Sequence, residues 1–530
     1  GPLPWQRKRA QVWRVWERAF TAEATYSAPA SDVQLDVIFT GPDGSQFTVP
    51  GFWDGGQTWR VRFTPTLEGN WSYVTRCSNP ADGGLHNQQG SLQADAASGE
   101  NPLYLHGGFM RVSENGRYLT YTDGTPFFWL GDTWWFCPSA KIPFEGSTNP
   151  EYESAFKTMV DTRAQQGYTV AHWAFQGPVF GADKGKASFI ALAQQEMIDP
   201  SYWQQVDPYF DYANEAGLIP VIGLCFHSGG DILTLEQWQF LWRYVVARYG
   251  AHAVTWLITG EYNHKLGDPE TRIPKMLALG QFIKDVDPYH RAMTVHPGPT
   301  SLDRGQAWDQ PWYDLIMFQS GHVSYPEAGF YYKVYERDVP KPMVEGECNY
   351  EGIHRLTDAD VRWSAYRAIQ AGCTGYTYGA QGLWYPTQHE QDSTFDEWGE
   401  RTTWWESLKR PGGAQMQHLR ALYESVEWWR LEPQPDAVRV YGFSNFMMDP
   451  LVKADVGKTY VVYFCRGLKA DFHAYLRVTD ASPYQASWFN PRTGETTALD
   501  GQFAGQDGEM LLPDRPDDSD WVLVLRRATD

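Results

Sequence analysis

From about residue 105 to 425, short apolar runs alternate with helical stretches, and this rhythm constrains the chain more than any other feature. Runs at 119–130, 168–175, 218–226, 253–258, 291–295, 315–318, 342–344 and 373–378 read as strands. Helices are expected at 152–166, closed by Gly167, and at 202–216, closed by Gly217. Thr234-Leu235-Glu236-Gln237 is a capping box opening a helix that Gly250 ends, and Thr357-Asp358-Ala359-Asp360 caps another. Strands that alternate with helices build a parallel sheet. Eight such units in roughly 320 residues predict an α/β (β/α)8 TIM barrel rather than an open sheet.

The flanks have a different period. Thr58-Trp59-Arg60-Val61-Arg62-Phe63 alternates cleanly, and Gly41-Pro42-Asp43-Gly44 and Glu68-Gly69-Asn70 are turns. Residues 1–100 therefore read as an N-terminal β-sandwich, with a small, polar linker at 93–101. The run Leu431-Glu432-Pro433-Gln434-Pro435 breaks the helical rhythm, and 431–530 returns to short strands, a second β-sandwich. The barrel takes 101–430.

Composition excludes several partners. Forty-four Lys and Arg against 64 Asp and Glu give a formal charge of −20, which repels phosphate backbones and anionic membrane surfaces. No apolar run approaches the ~18 residues of a spanning helix. The cysteines Cys77, Cys137, Cys225, Cys348, Cys373 and Cys465 lack metal-finger spacing and read as buried free thiols. No cofactor or metal is expected. Gly1-Pro2-Leu3 carries no leader pattern, and Gly1-Pro2 fits a processing scar, so a secreted or periplasmic location is expected, with cytoplasm the alternative. The 25 Trp, 30 Tyr and 27 Phe point equally to sugar-stacking surfaces and to large cores. Oligomeric state is open.

Barrel active sites lie at the C-terminal strand ends. Those ends hold Asp132, Trp134 and Trp135; His172, Trp173 and Gln176; His227; Glu261 and Asn263; His296; Gln319 and His322; Glu345 and Glu347; Tyr378, Gln381 and Trp384. The set holds carboxylates, amides, imidazoles and indoles, with few cations. Glycoside hydrolysis needs two carboxyl groups flanking one bond, and Glu261 and Glu347 fall on opposite walls of the predicted mouth.

Five segments occur in an order that resembles the apiosidase-like glycoside hydrolases. They are Pro126-Phe127-Phe128-Trp129-Leu130-Gly131-Asp132-Thr133-Trp134-Trp135, Val254 to Asn263, Gln319-Ser320-Gly321-His322, Lys341 to Glu351, and Thr377 to Trp384. The resemblance covers about 260 residues. It implies a barrel with the acid/base after the fourth strand, Glu261, and the nucleophile after the seventh, Glu347. It also implies a β-sandwich before the barrel and a β-domain after it, of a kind sometimes labelled collagen-binding. Members commonly carry Gly-Asp where this chain has Gly260-Glu261, so an apioside preference is not carried over.

Other readings attach to the same residues. Glu345 and Glu347, two apart, should share a strand face, with Glu345 one layer deeper and bound to an arginine. Asp132 would hold a sugar hydroxyl or cap a loop. His172, His227, His296 and His322 would hydrogen-bond substrate or backbone rather than a metal. Of Trp134, Trp135, Trp173 and Trp384, about half should line the pocket. Asn263, Gln319 and Tyr378 complete the substrate-binding set. The expected activity is retaining, exo-type cleavage of a β-glycosidic bond in a plant or microbial poly- or oligosaccharide. The alternatives are an inverting glycosidase, a non-catalytic carbohydrate-binding barrel, and a metal-dependent amidohydrolase. The last wants His-x-His where this chain has Asp132-Thr133-Trp134.

Overall fold

The computed structural model describes residues 9–176, 188–299, 307–322, 325–389, 398–441 and 447–529. Gly1 and Pro2 lie outside them. The centre is a parallel sheet of seven strands: β1 (Trp129–Trp134), β2 (Val170–Trp173), β3 (Ile219–Phe226), β4 (Thr255–Gly260), β5 (Ile316–Gly321), β6 (Met343–Cys348) and β7 (Gly375–Tyr378). Their order is β4-β3-β2-β1-β7-β6-β5. Seven helices pack around it: α1 (Ala155–Gln165), α2 (Pro200–Glu215), α3 (Leu235–Tyr249), α4 (Pro269–Val286), α5 (Ala328–Tyr335), α6 (Asp358–Gln370) and α7 (Pro411–Ser425). Both expected capping boxes form, at Thr234/Gln237 and Thr357/Asp360.

The eighth expected strand, 291–295, is not a strand, and among the described residues no ladder closes the sheet. The segment still joins both edges. Thr294 N donates to Trp256 O at 3.0 Å, and Leu315 N to Met293 O at 3.4 Å, so the sheet curls round to meet it. Side chains take part of the ladder's place. The Met293 N–H goes to Asp314 Oδ2 at 3.1 Å, and the Arg291 guanidinium is spent on Asp287 at 2.7 Å and on the carbonyls of Gly250, His252 and Val254. Pro297 then offers no donor. The first run also divides. Leu119–Thr120 and Pro126–Phe127 pair as an antiparallel hairpin around Gly124 (φ +94°), and β1 starts only at Trp129.

Two apolar clusters sandwich the sheet. Leu257, Met317, Val344, Val170, Val221 and Trp129 fill its inside, while Trp256, Phe318, Trp173 and Trp134 face the helices. Strands with both faces buried read as near-continuous apolar runs, which is why length and turn signals locate them better than alternation does.

Before the central sheet, a five-stranded sheet (Ala10–Gln11, Gln89–Asp95, Gly69–Cys77, Leu35–Thr40, Gln46–Pro50) and a three-stranded one (Trp16–Thr21, Thr58–Phe63, Phe52–Trp53) share one core around Phe39, Phe63 and Trp71. Gln93, Ala94 and Asp95 belong to a strand, so the expected linker begins later, after Asp95. After α7, two further sheets enclose Val452, Val462, Leu476, Trp488 and Leu525. Ion pairs tie the first sheets to the centre. Asp207 accepts Arg62 Nη2 at 2.8 Å and Arg248 Nη2 at 2.6 Å, Arg62 Nε reaches Glu17 at 2.8 Å, and Arg248 Nη1 reaches Asp54 at 2.8 Å. The six cysteines are free and buried, as expected. Among the described residues no helix is long and apolar enough to cross a membrane.

Candidate active site

Strand β6 carries two glutamates, and its register decides which one faces the centre. Met317 pairs with Val344, Phe318 with Glu345, and then Gln319 with Glu347. Gly346 is thus an extra residue, a β-bulge, and a bulge re-aims the side chain that follows it. Glu345 points outward, toward α5. Ser320 Oγ donates to it at 2.5 Å, Tyr331 Oη at 2.6 Å, and the amides of Ser320 and Glu347 at 3.4 and 3.3 Å. Glu347 points inward. The expectation that both share a face fails at this bulge, and the partners of Glu345 are hydroxyls and amides instead of an arginine. Only glycine fits at 346, since a Cβ there would lie 2.6 Å from Met317 Cγ.

Glu261 follows β4, where the register also slips: Ile222 pairs with Trp256 but Gly223 with Ile258. Ile258 (φ +66°) and Glu261 (φ +46°) are left-handed, a conformation that strains a β-branched residue and clusters at functional sites. The Glu261 carboxyl accepts Gln319 Nε2 at 3.0 Å. Gln319 is the ladder partner of Glu347, so the residue that donates to one carboxylate sits on the strand beside the other.

The two carboxyls have opposite environments. Burial, and after it the negative charge of Glu347, pushes Glu261 up to about 7. Burial pushes Glu347 upward too, but imidazoles on both its oxygens prevail and hold it at about 2. His296 Nε2 lies 3.2 Å from Oε2, and His322 Nε2 3.1 Å from Oε1. His322 Nδ1 accepts the Tyr350 N–H at 3.3 Å, which leaves the proton on Nε2 to donate to Glu347. Beneath lies His172, fully buried and held neutral, its basicity lowered to about 3 by burial and then by His296. Trp135 packs against both rings, at 5.4 and 5.1 Å. Several buried polar atoms here make no hydrogen bond among the described residues: both nitrogens of His172 and of His296, Asn263 Nδ2, Gln319 Oε1 and Glu347 Oε2, with His296 Nε2 and Glu347 Oε2 meeting as an ion pair rather than at hydrogen-bond angle. Buried polar groups are normally satisfied, so this cluster is shaped for a polyhydroxylated guest or water.

The structure therefore brings together Glu261, Glu347, Trp135, His172, His296, Gln319 and His322. Asn263 stands beside them, its Oδ1 accepting the Gly298 N–H at 2.7 Å. His227 is half-buried with its ring 5.3 Å from His264. Trp384, also half-buried, donates to Gln381 Oε1 at 2.9 Å and lies 6.4 Å from Trp398. Four expected residues face the helices instead. Asp132 is consumed by Arg163 Nε (2.7 Å), Trp134 Nε1 (3.0 Å) and Thr133 N (2.8 Å). Trp134 sits in the outer core, and Trp173 packs on Phe156 and Phe210. Tyr378 Oη donates to Glu351 at 2.7 Å. Position at a strand end gives height above the sheet, whereas strand parity gives the face, and these four have the outward parity. Two strand-end residues outside the expected site set also stand here: Tyr350, its ring tilted 4.4 Å from His322, and His264, whose Nε2 lies 3.9 Å from Glu261 Oε2. The spacing of three from Glu261 to His264 was the available signal.

A family model described as the apiosidase-like catalytic domain matches residues 113–430, more than half of the chain. The chain belongs to the apiosidase-like glycoside hydrolases. It is thus a glycoside hydrolase, with carbohydrate as its substrate. A domain of unknown function (DUF5060) matches residues 9–78, and a collagen-binding domain attributed to a collagenase matches 448–526. No curated protein sequence matches the chain. Among solved structures, a Bacteroides vulgatus protein assigned as a glycoside hydrolase is similar over 98% of this chain and 100% of its own, at 18% identity and TM-score 0.71. A family 5 glycoside hydrolase from the same species covers 79% and 94% at 21% identity and TM-score 0.66. Another glycoside hydrolase covers 80% and 98% at 23% identity and TM-score 0.66. At these identities the likeness is one of fold. In this apiosidase-like chain both glutamates fall inside the matched region.

Proposed function

We propose that this apiosidase-like enzyme cleaves a β-glycosidic bond of a plant or microbial oligo- or polysaccharide with retention of configuration, from a chain end. The sheet, with 291–296 as its eighth stave, is read as a (β/α)8 barrel whose mouth holds the reaction. The observation that carries the reading is the split pair: Glu261 raised to about 7 and Glu347 lowered to about 2. A pair of carboxyls pushed apart in this way supplies an acid and a nucleophile at the same pH.

In the first step protonated Glu261 gives its proton to the glycosidic oxygen as the C1–O bond breaks. Glu347 attacks C1. His322 holds its Oε1, which leaves Oε2, the oxygen without a hydrogen-bond donor at good angle, to form the glycosyl-enzyme. Glu261, now a carboxylate, takes a proton from water as that water attacks C1 and releases Glu347. Asn263, Gln319, His296 and His172 offer the unspent donors and acceptors for the sugar hydroxyls.

The test is the anomer first released, followed by proton NMR. Retention is expected. Glu347→Gln should abolish glycosylation of every substrate, whereas Glu261→Gln should still be glycosylated by a dinitrophenyl glycoside and accumulate the intermediate. Azide should rescue Glu261→Ala with a β-glycosyl azide. An inverted first product would replace nucleophilic attack by direct attack of water.

A further inference from the structure

A second concavity lies between the first sheets and the outer face of α3. Its volume is about 360 Å³, the scale of a small-ligand site. Phe52, Trp53 and Trp59, the α3 residues Gln239, Phe240 and Tyr244, and Gln34 are among the residues of its wall. None of them belongs to the catalytic cluster.

Its chemistry is specific. Trp59 is 3% exposed, and its indole N–H finds no acceptor among the described residues. A buried donor left unpaired is costly unless a guest or water completes it. The half-buried Trp53 and Phe240 offer apolar ring faces. The Gln34 and Gln239 side-chain amides make no hydrogen bond to the described residues, so two donor–acceptor pairs stand unused beside those rings. The one cation in the wall, Arg243, is already bound to Asp36 at 2.7 Å. Glu196 and Glu236 on the rim then leave the site weakly acidic. Aromatic faces beside spare amides, with no unspent cation, fit a neutral sugar and disfavour a uronate or phosphate.

We propose that this groove is a second, non-catalytic carbohydrate-binding site for a neutral glycan chain, holding polymer on the enzyme while the mouth works. It relies on the glycoside hydrolase assignment only for the class of ligand, and is independent of the roles of Glu261 and Glu347. Native gels containing glucomannan, xyloglucan, arabinoxylan or mixed-linkage β-glucan test it, with polygalacturonate as the anionic control. The full chain carrying Glu347→Gln is used, so that the polymer survives. At least one neutral polymer should retard it. Adding Trp59→Phe, which keeps the ring and loses the N–H, or Gln239→Ala on the exposed side of α3, should weaken retardation roughly 3- to 10-fold, as expected for one hydrogen bond. Trp53→Ala should weaken it more. In the otherwise natural chain, Gln239→Ala and Trp59→Phe should leave kcat/KM on a small aryl glycoside unchanged. Equal retardation of parent and variants, retardation by polygalacturonate in preference, or no retardation by any polymer would each overturn the site. If the catalytic reading fails, hydrolysis is lost from every assay while the gel differences persist, so the two failures separate.

Discussion

Replacing Glu347 by glutamine tests the coupling of the two carboxyls directly, because it removes a charge while keeping shape. Glu261 is raised to about 7 by burial and then by Glu347. If the carboxyls are about 5.5 Å apart, as in a retaining pair, the Coulomb energy at an effective dielectric of about 20 is about 3 kcal/mol. That equals about 2 pK units. The variant should therefore titrate Glu261 near pH 5. The measurement is the carboxyl ¹³C resonance of Glu261 in protein labelled at glutamate δ-carbons, identified by its loss in Glu261→Gln. In the unmodified enzyme the same group should keep its proton until about pH 7, so kcat/KM should fall as pH rises through that value. It should also fall at low pH, as Glu347 gains a proton toward about 2. A Glu261 midpoint that moves by less than about 0.3 units in Glu347→Gln would refute the reasoning, since even about 10 Å at that dielectric predicts a shift of about one unit.

Glu345→Gln should retain activity on an activated glycoside within about tenfold, whereas Glu347→Gln loses more than about a thousandfold; equal losses would undo the assignment of faces. Burial raises Glu345 from 4.5 to about 7, so the folded state binds the extra proton between those values and stability falls as pH rises through that window. Thermal melts of Glu345→Gln should show a shallower slope, the remainder coming from Glu261, which is raised across the same window. Gly346→Ala should cost about 1–3 kcal/mol in chemical denaturation, from the 2.6 Å contact with Met317, and should lower kcat; an unchanged kcat would mean that the bulge does not aim Glu347. Arg248→Met leaves Asp207 with Arg62 alone and Asp54 with Arg60 alone in the junction and should destabilise by about 1–3 kcal/mol in urea titration.

Much of this was legible in the sequence, for physical reasons that differ from place to place. Thr234/Gln237 and Thr357/Asp360 announce helices because a cap is local, and Gly167 and Gly217 end helices with positive φ for the same reason. Glu261 and Glu347 could be named from strand order and the family segments. Their surroundings could not. The inward turn of Glu347 depends on one extra residue, and no alternation rule shows which residue a neighbouring strand will skip. Asp132 illustrates the converse: at the right height but the wrong parity, its carboxylate belongs to Arg163. The strand at 291–295 looked like its neighbours because its apolar content is the same. What differs is that Asp314 takes the Met293 N–H and Asp287 the Arg291 N–H, hydrogen bonds that a strand would make to its neighbours.

That stave has a consequence for how the enzyme ages under heat. A ladder opens cooperatively, because each bond supports the next, whereas bonds to side chains open one at a time. His296, which stands against the nucleophile, sits at the end of a stretch where bonds to side chains at 291 and 293 interrupt the backbone bonds made by Ala292, Thr294 and His296. Amide exchange should be fastest there among the inner segments, and warming should blunt turnover before any cooperative melting begins. The enzyme would go quiet while still folded and recover on cooling, a reversible thermal brake set by the seam of the sheet rather than by its core.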